Sequence, residues 1–130
     1  MNLQISMTAL ALSEGITLTK GAGLDPKLFL EILNSSDYKT RQSEKKGSKM
    51  LKGEFDATFT IQNMQKDLDT INAAAKALNL TLPMASLAQK LYKDATSEFA
   101  QLDYTGILAY IEKAAQGIRK DDLSKGVKLD

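Results

Sequence analysis

From Ile61 onward the apolar side chains fall at Ile61, Met64, Leu68, Ile71, Ala75 and Leu78, separated by 3, 4, 3, 4 and 3 residues. That spacing follows the 3.6-residue turn of an α-helix, so one stripe of this segment must be covered and the opposite side is left to face something else. At about 100° per residue, Lys66 lies roughly 200° from Met64, on the side of Gln62, Asp69 and Ala73. Pattern alone therefore makes Lys66 an exposed lysine on the back of an amphipathic helix.

The rest of the chain punctuates in the same way. Residues 2–20 read as a helix with Leu3, Met7, Leu10, Ile16 and Leu18 among small or polar residues. A helix so poor in charge is expected to be flanked on several sides. The GAG at 21–23 could pass for a fragment of a dinucleotide-binding GxGxxG, but it follows a helical pattern and no third glycine arrives, so it reads as a helix stop. Asp25-Pro26 is a start signal, with Asp as N-cap and Pro in the first turn. Leu28, Phe29, Ile32 and Leu33 give this second helix its apolar face, and it ends near Asn34. Ser35, Ser36 and Asp37 offer a cap for the basic segment that follows, with Lys39, Arg41, Lys45, Lys46, Lys49 and Lys52. Only Tyr38 among its residues is aromatic and Gly47 interrupts it, so a solvated helix face is the expectation rather than a nucleic-acid surface.

Gly53–Thr58 is unpatterned and reads as a loop, pinned to the core by Phe55 and Phe59. Pro83 opens the next helix, which runs to Phe99 and is expected to bury Met84, Leu87, Leu91 and Ala95, with Tyr92 as a further candidate. Asp103 or Thr105 caps a last helix carrying Ile107, Leu108, Tyr110 and Ile111. About six helical segments, short links and no convincing strand predict an all-α single domain over residues 1–116. Residues 117–130 read as a charged, frayed tail.

Composition then removes whole classes of chemistry. The chain has no Cys and no His, which excludes disulfides, the usual zinc sites, Cys or Ser/His nucleophile pairs and the commonest general base. Any difficult step must come from a bound cofactor or from Lys, Asp/Glu, Tyr, Ser/Thr or amide groups. Seventeen Lys/Arg against sixteen Asp/Glu give a net charge of +1, so no global field favours a nucleic acid or a membrane surface. The N-terminal TALAL lacks a basic flank and is followed by Glu14, and no apolar run approaches the roughly 20 residues needed to cross a bilayer. A cytoplasmic location is the expectation.

Several segments in their order match a known pattern: the alanine-rich first helix with Ser13-Glu14-Gly15, then GAGLDPKLFLEILNSS, FTIQNMQKDLDTINAAAKALNLTLPMASLAQKLYKDA and LDYTGILAYIE. Over about residues 2–115 the chain resembles the C-terminal helical domain of the β-hydroxyacid dehydrogenases, the relatives of 3-hydroxyisobutyrate dehydrogenase and tartronate semialdehyde (glyoxylate) reductase and, more distantly, of 6-phosphogluconate dehydrogenase. The resemblance implies an NAD(P)-dependent oxidoreductase in which this domain closes the active-site cleft and helps to form a homodimer. The nucleotide is bound by a Rossmann domain, and these residues contain no βαβ pattern and no GxGxxG. NAD or NADP is therefore expected with the full-length enzyme, and none tightly bound to this domain alone.

The resemblance also implies roles. Asn2 falls on a substrate-positioning asparagine, one helical turn after the family's catalytic lysine, which would lie just upstream of residue 1. Lys66 falls on the lysine of a KDL motif that reaches toward the cofactor and substrate, and Phe59 matches the aromatic position that begins the motif. Asp67 is expected to brace its helix rather than to react. Glycine after Glu14, where the family has another small residue, and the basic 39–52 segment depart from the pattern and leave the hydroxyacid open. The competing expectation is a helical interaction module that keeps the fold without catalysis.

Overall fold

The computed structural model describes residues 1–124, with side chains as far as residue 116. Its helices are α1 (Asn2–Gly21), α2 (Pro26–Ser35), α3 (Arg41–Lys52), α4 (Ile61–Ala77), α5 (Pro83–Phe99) and α6 (Ile107–Ser124), the last preceded by a single 3-10 turn at Tyr104–Gly106. Among the described residues the only extended pairing is an isolated bridge between Thr60 and Asp103. The all-α expectation holds. The last helix continues past the end expected at Gln116, and the remainder of the expected tail, 125–130, lies outside the described residues. No helix among the described residues is long and apolar enough to cross a membrane.

Local chemistry accounts for most boundaries. Asp25 accepts a hydrogen bond from the Lys27 amide at 2.9 Å with Pro26 at the first helical position, as its sequence signals. α3 is capped by Thr40, not by the Ser35–Asp37 cluster: Thr40 and Ser43 exchange side-chain and backbone hydrogen bonds in a capping box. Thr60 caps α4 through the Asn63 amide at 3.1 Å. After α1, Gly23 adopts φ +75° and the Leu24 amide reaches back to the Thr19 carbonyl at 3.0 Å. The GAG is thus a helix stop that uses the left-handed freedom of its last glycine.

α1 is the axis of the domain and touches every other helix, α2 through α6. Neighbouring residues on it serve two separate apolar clusters. Ala9 and Leu10 join Ile61, Met64, Leu68, Tyr92 and Ile107 in one, while Leu12 and Ile16 join Leu30, Met50 and Leu108 in the other. Ser6 and Ser13 are buried between them without cost in unpaired groups, because each hydroxyl donates to a carbonyl of its own helix, Leu3 at 2.8 Å and Ala9 at 2.7 Å. The prediction that this helix is flanked on several sides is met. Leu18, expected on its apolar face, is exposed instead.

Two helices pack by a different face than expected. α5 buries Ala85, Ala88, Tyr92 and Ala95, while Met84 and Leu87 are 63% and 51% exposed and Leu91 is only partly buried. The small alanines let α5 lie close against α4, its most extensive neighbour; close backbone approach then selects small residues over the larger leucine and methionine. α2 is apolar on two sides. Phe29 and Leu33 pack inward together with Leu30, whereas Leu28 and Ile32 face outward. Glycines receive the inward pair: a Cβ at Gly15 of α1 would stand 2.6 Å from the Phe29 ring, and one at Gly47 of α3 would stand 2.5 Å from a Leu30 methyl. Gly47, which looks like an interruption in the basic run, is the socket that seats α2 on α3.

Candidate functional site

The stripe on α4 anchors its inner side, with Ile61, Met64 and Leu68 fully buried and Ala75 nearly so. Leu78, at the end of that stripe, is exposed. Lys66 points to the other side and is exposed, with no ion-pair partner among the described residues. Its neighbour Asp67 is half-buried and accepts a hydrogen bond from the Asn2 side-chain amide. The expected bracing role of Asp67 is therefore exercised across helices, tying the start of α1 to α4. A carboxylate can only accept, so the Asn2 nitrogen must face Asp67 and its amide oxygen is turned away, available to accept from another group. Asn2 is thus held against the segment of α4 that carries Asp67, whose sequence neighbour is Lys66.

Phe59 is not brought there. It precedes α4, about two helical turns before Lys66, and its ring packs partly buried against the cluster of Ile61 and Tyr104. Its carbonyl accepts from the Tyr104 amide at 2.7 Å. Phe59 holds the root of α4, as the pinning role read from the sequence anticipates.

Sequence reasoning missed the most heavily bonded side chain among the described residues. Asp103, only 2% exposed, accepts hydrogen bonds from the Thr58 amide (3.1 Å) and hydroxyl (3.0 Å), the Thr105 amide (3.2 Å) and hydroxyl (2.6 Å), and the Lys46 ammonium (2.9 and 3.1 Å). Lys46 also lies over the Tyr104 ring, 4.3 Å from its centroid. Burial pushes the Asp103 carboxyl up, but the Thr105 hydroxyl, Lys46 and the backbone amides of Thr58 and Thr105 outweigh it and hold the group below the ordinary carboxylate range. Beside it the Tyr92 hydroxyl donates to the Tyr104 carbonyl at 3.0 Å, and burial raises its pKa well above the usual phenol value. Asp103 does cap the 3-10 turn, as its sequence position suggests. Lys46 corrects the reading of the basic run as solvated: it is largely covered and bound to Asp103. The missed signal was an aspartate set in LDYTGIL, an apolar run in which a carboxylate has to recruit donors.

No group of three or more acidic side chains able to hold a metal occurs among the described residues. The chemistry these residues offer is the point charge of the exposed Lys66 and, at Asn2, an amide oriented by Asp67.

Comparison with known proteins agrees with this fold. Residues 1–111 match the family described as the NAD-binding domain of NADP-dependent 3-hydroxyisobutyrate dehydrogenase. The probable 3-hydroxyisobutyrate dehydrogenase-like 1 of Arabidopsis thaliana is 34% identical over 90 residues, covering 69% of this chain and 27% of its own length. The 2-hydroxy-3-oxopropionate reductase of Escherichia coli is 31% identical over 112 residues, covering 85% of this chain and 38% of its own. The crystal structure of a Salmonella typhimurium 3-hydroxyisobutyrate dehydrogenase superposes with a TM-score of 0.78 at 20% identity, over 84% of this chain and 39% of that one. The chain spans about a third of the length of these relatives. With its match running over most of its length and its six helices in the same fold, the chain belongs to the β-hydroxyacid dehydrogenase family as that family's helical domain.

Proposed function

We propose that these residues form one wall of the active site of an NAD(P)-dependent 3-hydroxyacid dehydrogenase, the other wall being a nucleotide-binding domain. The observation that carries this reading is the Asn2–Asp67 hydrogen bond, which orients the Asn2 amide and ties the start of α1 to the part of α4 that bears the exposed Lys66. The residues present fit a nicotinamide nucleotide and a short hydroxyacid: Lys66 offers three donors and a charge to a phosphate or carboxylate oxygen, and the Asn2 oxygen can accept from the substrate hydroxyl. When bound, the nicotinamide exchanges a hydride with the hydroxyl-bearing carbon. Asn2 holds that carbon's hydroxyl in line for a proton-accepting lysine one turn before it on the same helical course, and Asp67 keeps the amide from turning over.

These 130 residues alone then provide positioning without turnover. Incubated with NAD or NADP and 3-hydroxyisobutyrate or glyoxylate, the purified chain is expected to show no change in nicotinamide absorbance, and steady oxidation or reduction would overturn the assignment. Joined in place of the helical portion of the Escherichia coli reductase, it should support activity. In that fusion Lys66→Met is expected to lower kcat/KM about 10- to 100-fold, the loss of one charge-assisted hydrogen bond. An unchanged kcat/KM would remove Lys66 from the site.

A further inference from the structure

We infer that the outer edge of α3 binds the phosphate backbone of double-helical nucleic acid, without regard to its sequence. Residues 39–52 hold six Lys/Arg and one Glu, a net +5 in a chain of net +1, which leaves −4 for all the other residues. The near-zero total thus hides a segregated charge, and a segregated charge orients a molecule toward a polyanion.

The fold sorts these six cations into two kinds. Lys46 is turned inward onto Asp103, and Lys39 is paired with Glu44 at 3.1 Å. Arg41, Lys45, Lys49 and Lys52 are exposed and have no ion-pair partner among the described residues. At about 100° per residue these four fall within an arc of roughly 80°, with Ser48 at its border. Ser43, Gly47 and Met50, the buried residues of α3, lie on the opposite side. Gly47 therefore breaks the basic run in the sequence but not on the surface, which removes one reason for reading the run as a solvated face. What remains is a straight ridge of four cations about 17 Å long, at 1.5 Å per residue.

Internal stability does not account for this ridge. Arg41 and Lys45, Lys45 and Lys49, and Lys49 and Lys52 are like charges three or four residues apart, an arrangement that destabilises a helix. Arg41 also stands at the positive end of the helix dipole. A polyanion relieves both. The ridge carries no apolar or aromatic side chain, so it lacks the insertion face of a membrane-surface helix and the apolar core of a protein interface. Arg, Lys and Ser are side chains that contact phosphate, and at about 3.4 Å per phosphate along one strand the ridge spans roughly five of them. α3 is seated by Met50 in the cluster of Leu12, Ile16 and Leu30, whereas Asn2 bonds to α4, so the inference does not rest on the dehydrogenase reading.

Fluorescence anisotropy of a short, labelled, random-sequence DNA duplex titrated with the full chain tests this. The association constant should fall about 100-fold from roughly 50 to 200 mM salt, the log–log slope of about −3.6 expected when four cations each displace a counterion. Lys45→Gln and Lys49→Gln should each reduce that slope by about 0.9. Lys45→Glu with Lys49→Glu should abolish binding. Lys27→Glu with Lys76→Glu, the same change of net charge at exposed lysines off the ridge, should leave most of it. The glutamine variants carry the test even where the double glutamate variant folds poorly. Absence of binding at low salt, equal losses from the two double variants when both melt like the wild type, a slope unchanged by Lys→Gln, or tighter binding to phosphatidylserine vesicles than to the duplex at equal phosphate would each overturn the inference.

Discussion

The molecule contains two places where a lysine and an aspartate meet the start of α4, and they have opposite characters. At the root of the helix, Asp103 and Lys46 are enclosed, and the carboxylate is saturated with hydrogen bonds from both flanking segments. Two turns on, Lys66 is exposed and without an acidic partner, and Asp67 spends its bond on Asn2. A charge that has found all its partners inside the chain is structural; an exposed lysine without one is left to solvent or to a partner from outside.

The largest effect that separates the two should come from Asp103→Ala. It strands the Lys46 ammonium and the donors of Thr58 and Thr105, and about 3–5 kcal/mol of stability should be lost in urea unfolding. A loss below about 1 kcal/mol would show that the knot is not the structural member of the pair. Lys46→Met, which keeps the aliphatic stem over Tyr104 and removes one of several donors, should cost less, about 1–3 kcal/mol. Asn2→Ala breaks a half-buried bond at the end of a helix and should cost about 1 kcal/mol. Lys66→Ala should change unfolding by no more than about 0.5 kcal/mol, and a larger change would mean that Lys66 belongs with the structural charges.

Acid should sharpen the same contrast. The folded-state pKa of Asp103 is lowered, so the stability it contributes is complete above the unfolded carboxylate value of about 3.9 and is lost as pH falls through the depressed folded value. Thermal melts from pH 6 downward should show this limb in the wild type and a shallower one in Asp103→Asn. Identical limbs would assign the acid sensitivity to other carboxylates.

What could be read from the sequence follows from the range of the forces involved. α4 was legible because a long run of regular spacing leaves one helical solution, and the outward direction of Lys66 follows from the same arithmetic. Caps at Asp25 and the stop at Gly23 are decided within a few residues and were legible too. The buried face of α5 was not, since Ala85 and Ala88 win over Met84 and Leu87 only through the closeness of α4, a fact about another helix. α2 was misread for a related reason: its two apolar sides look like one broad face until Gly15 and Gly47 select Phe29 and Leu30. Nothing in the spacing connects Asn2 to Asp67, because the two residues that bond there are 65 positions apart in the chain. Asp103 escaped because a cap and a buried hub look alike when only local sequence is considered.

The start of α4 is bound to the segment after α5 by three main-chain bonds: Tyr104 to the Phe59 carbonyl, Ile61 to that of Leu102 and Gln62 to that of Ala100, at 2.7, 2.9 and 3.1 Å. The α4–α5 hairpin is therefore built like a cantilever, fixed at its root and free at the Leu78–Leu82 bend. Lys66 sits close to the root, where a beam deflects least, while the exposed leucines of the bend have the longest lever arm. Amide exchange should accordingly slow from the bend toward Ile61, and a domain pressing on the bend could flex the hairpin while Lys66 holds its station.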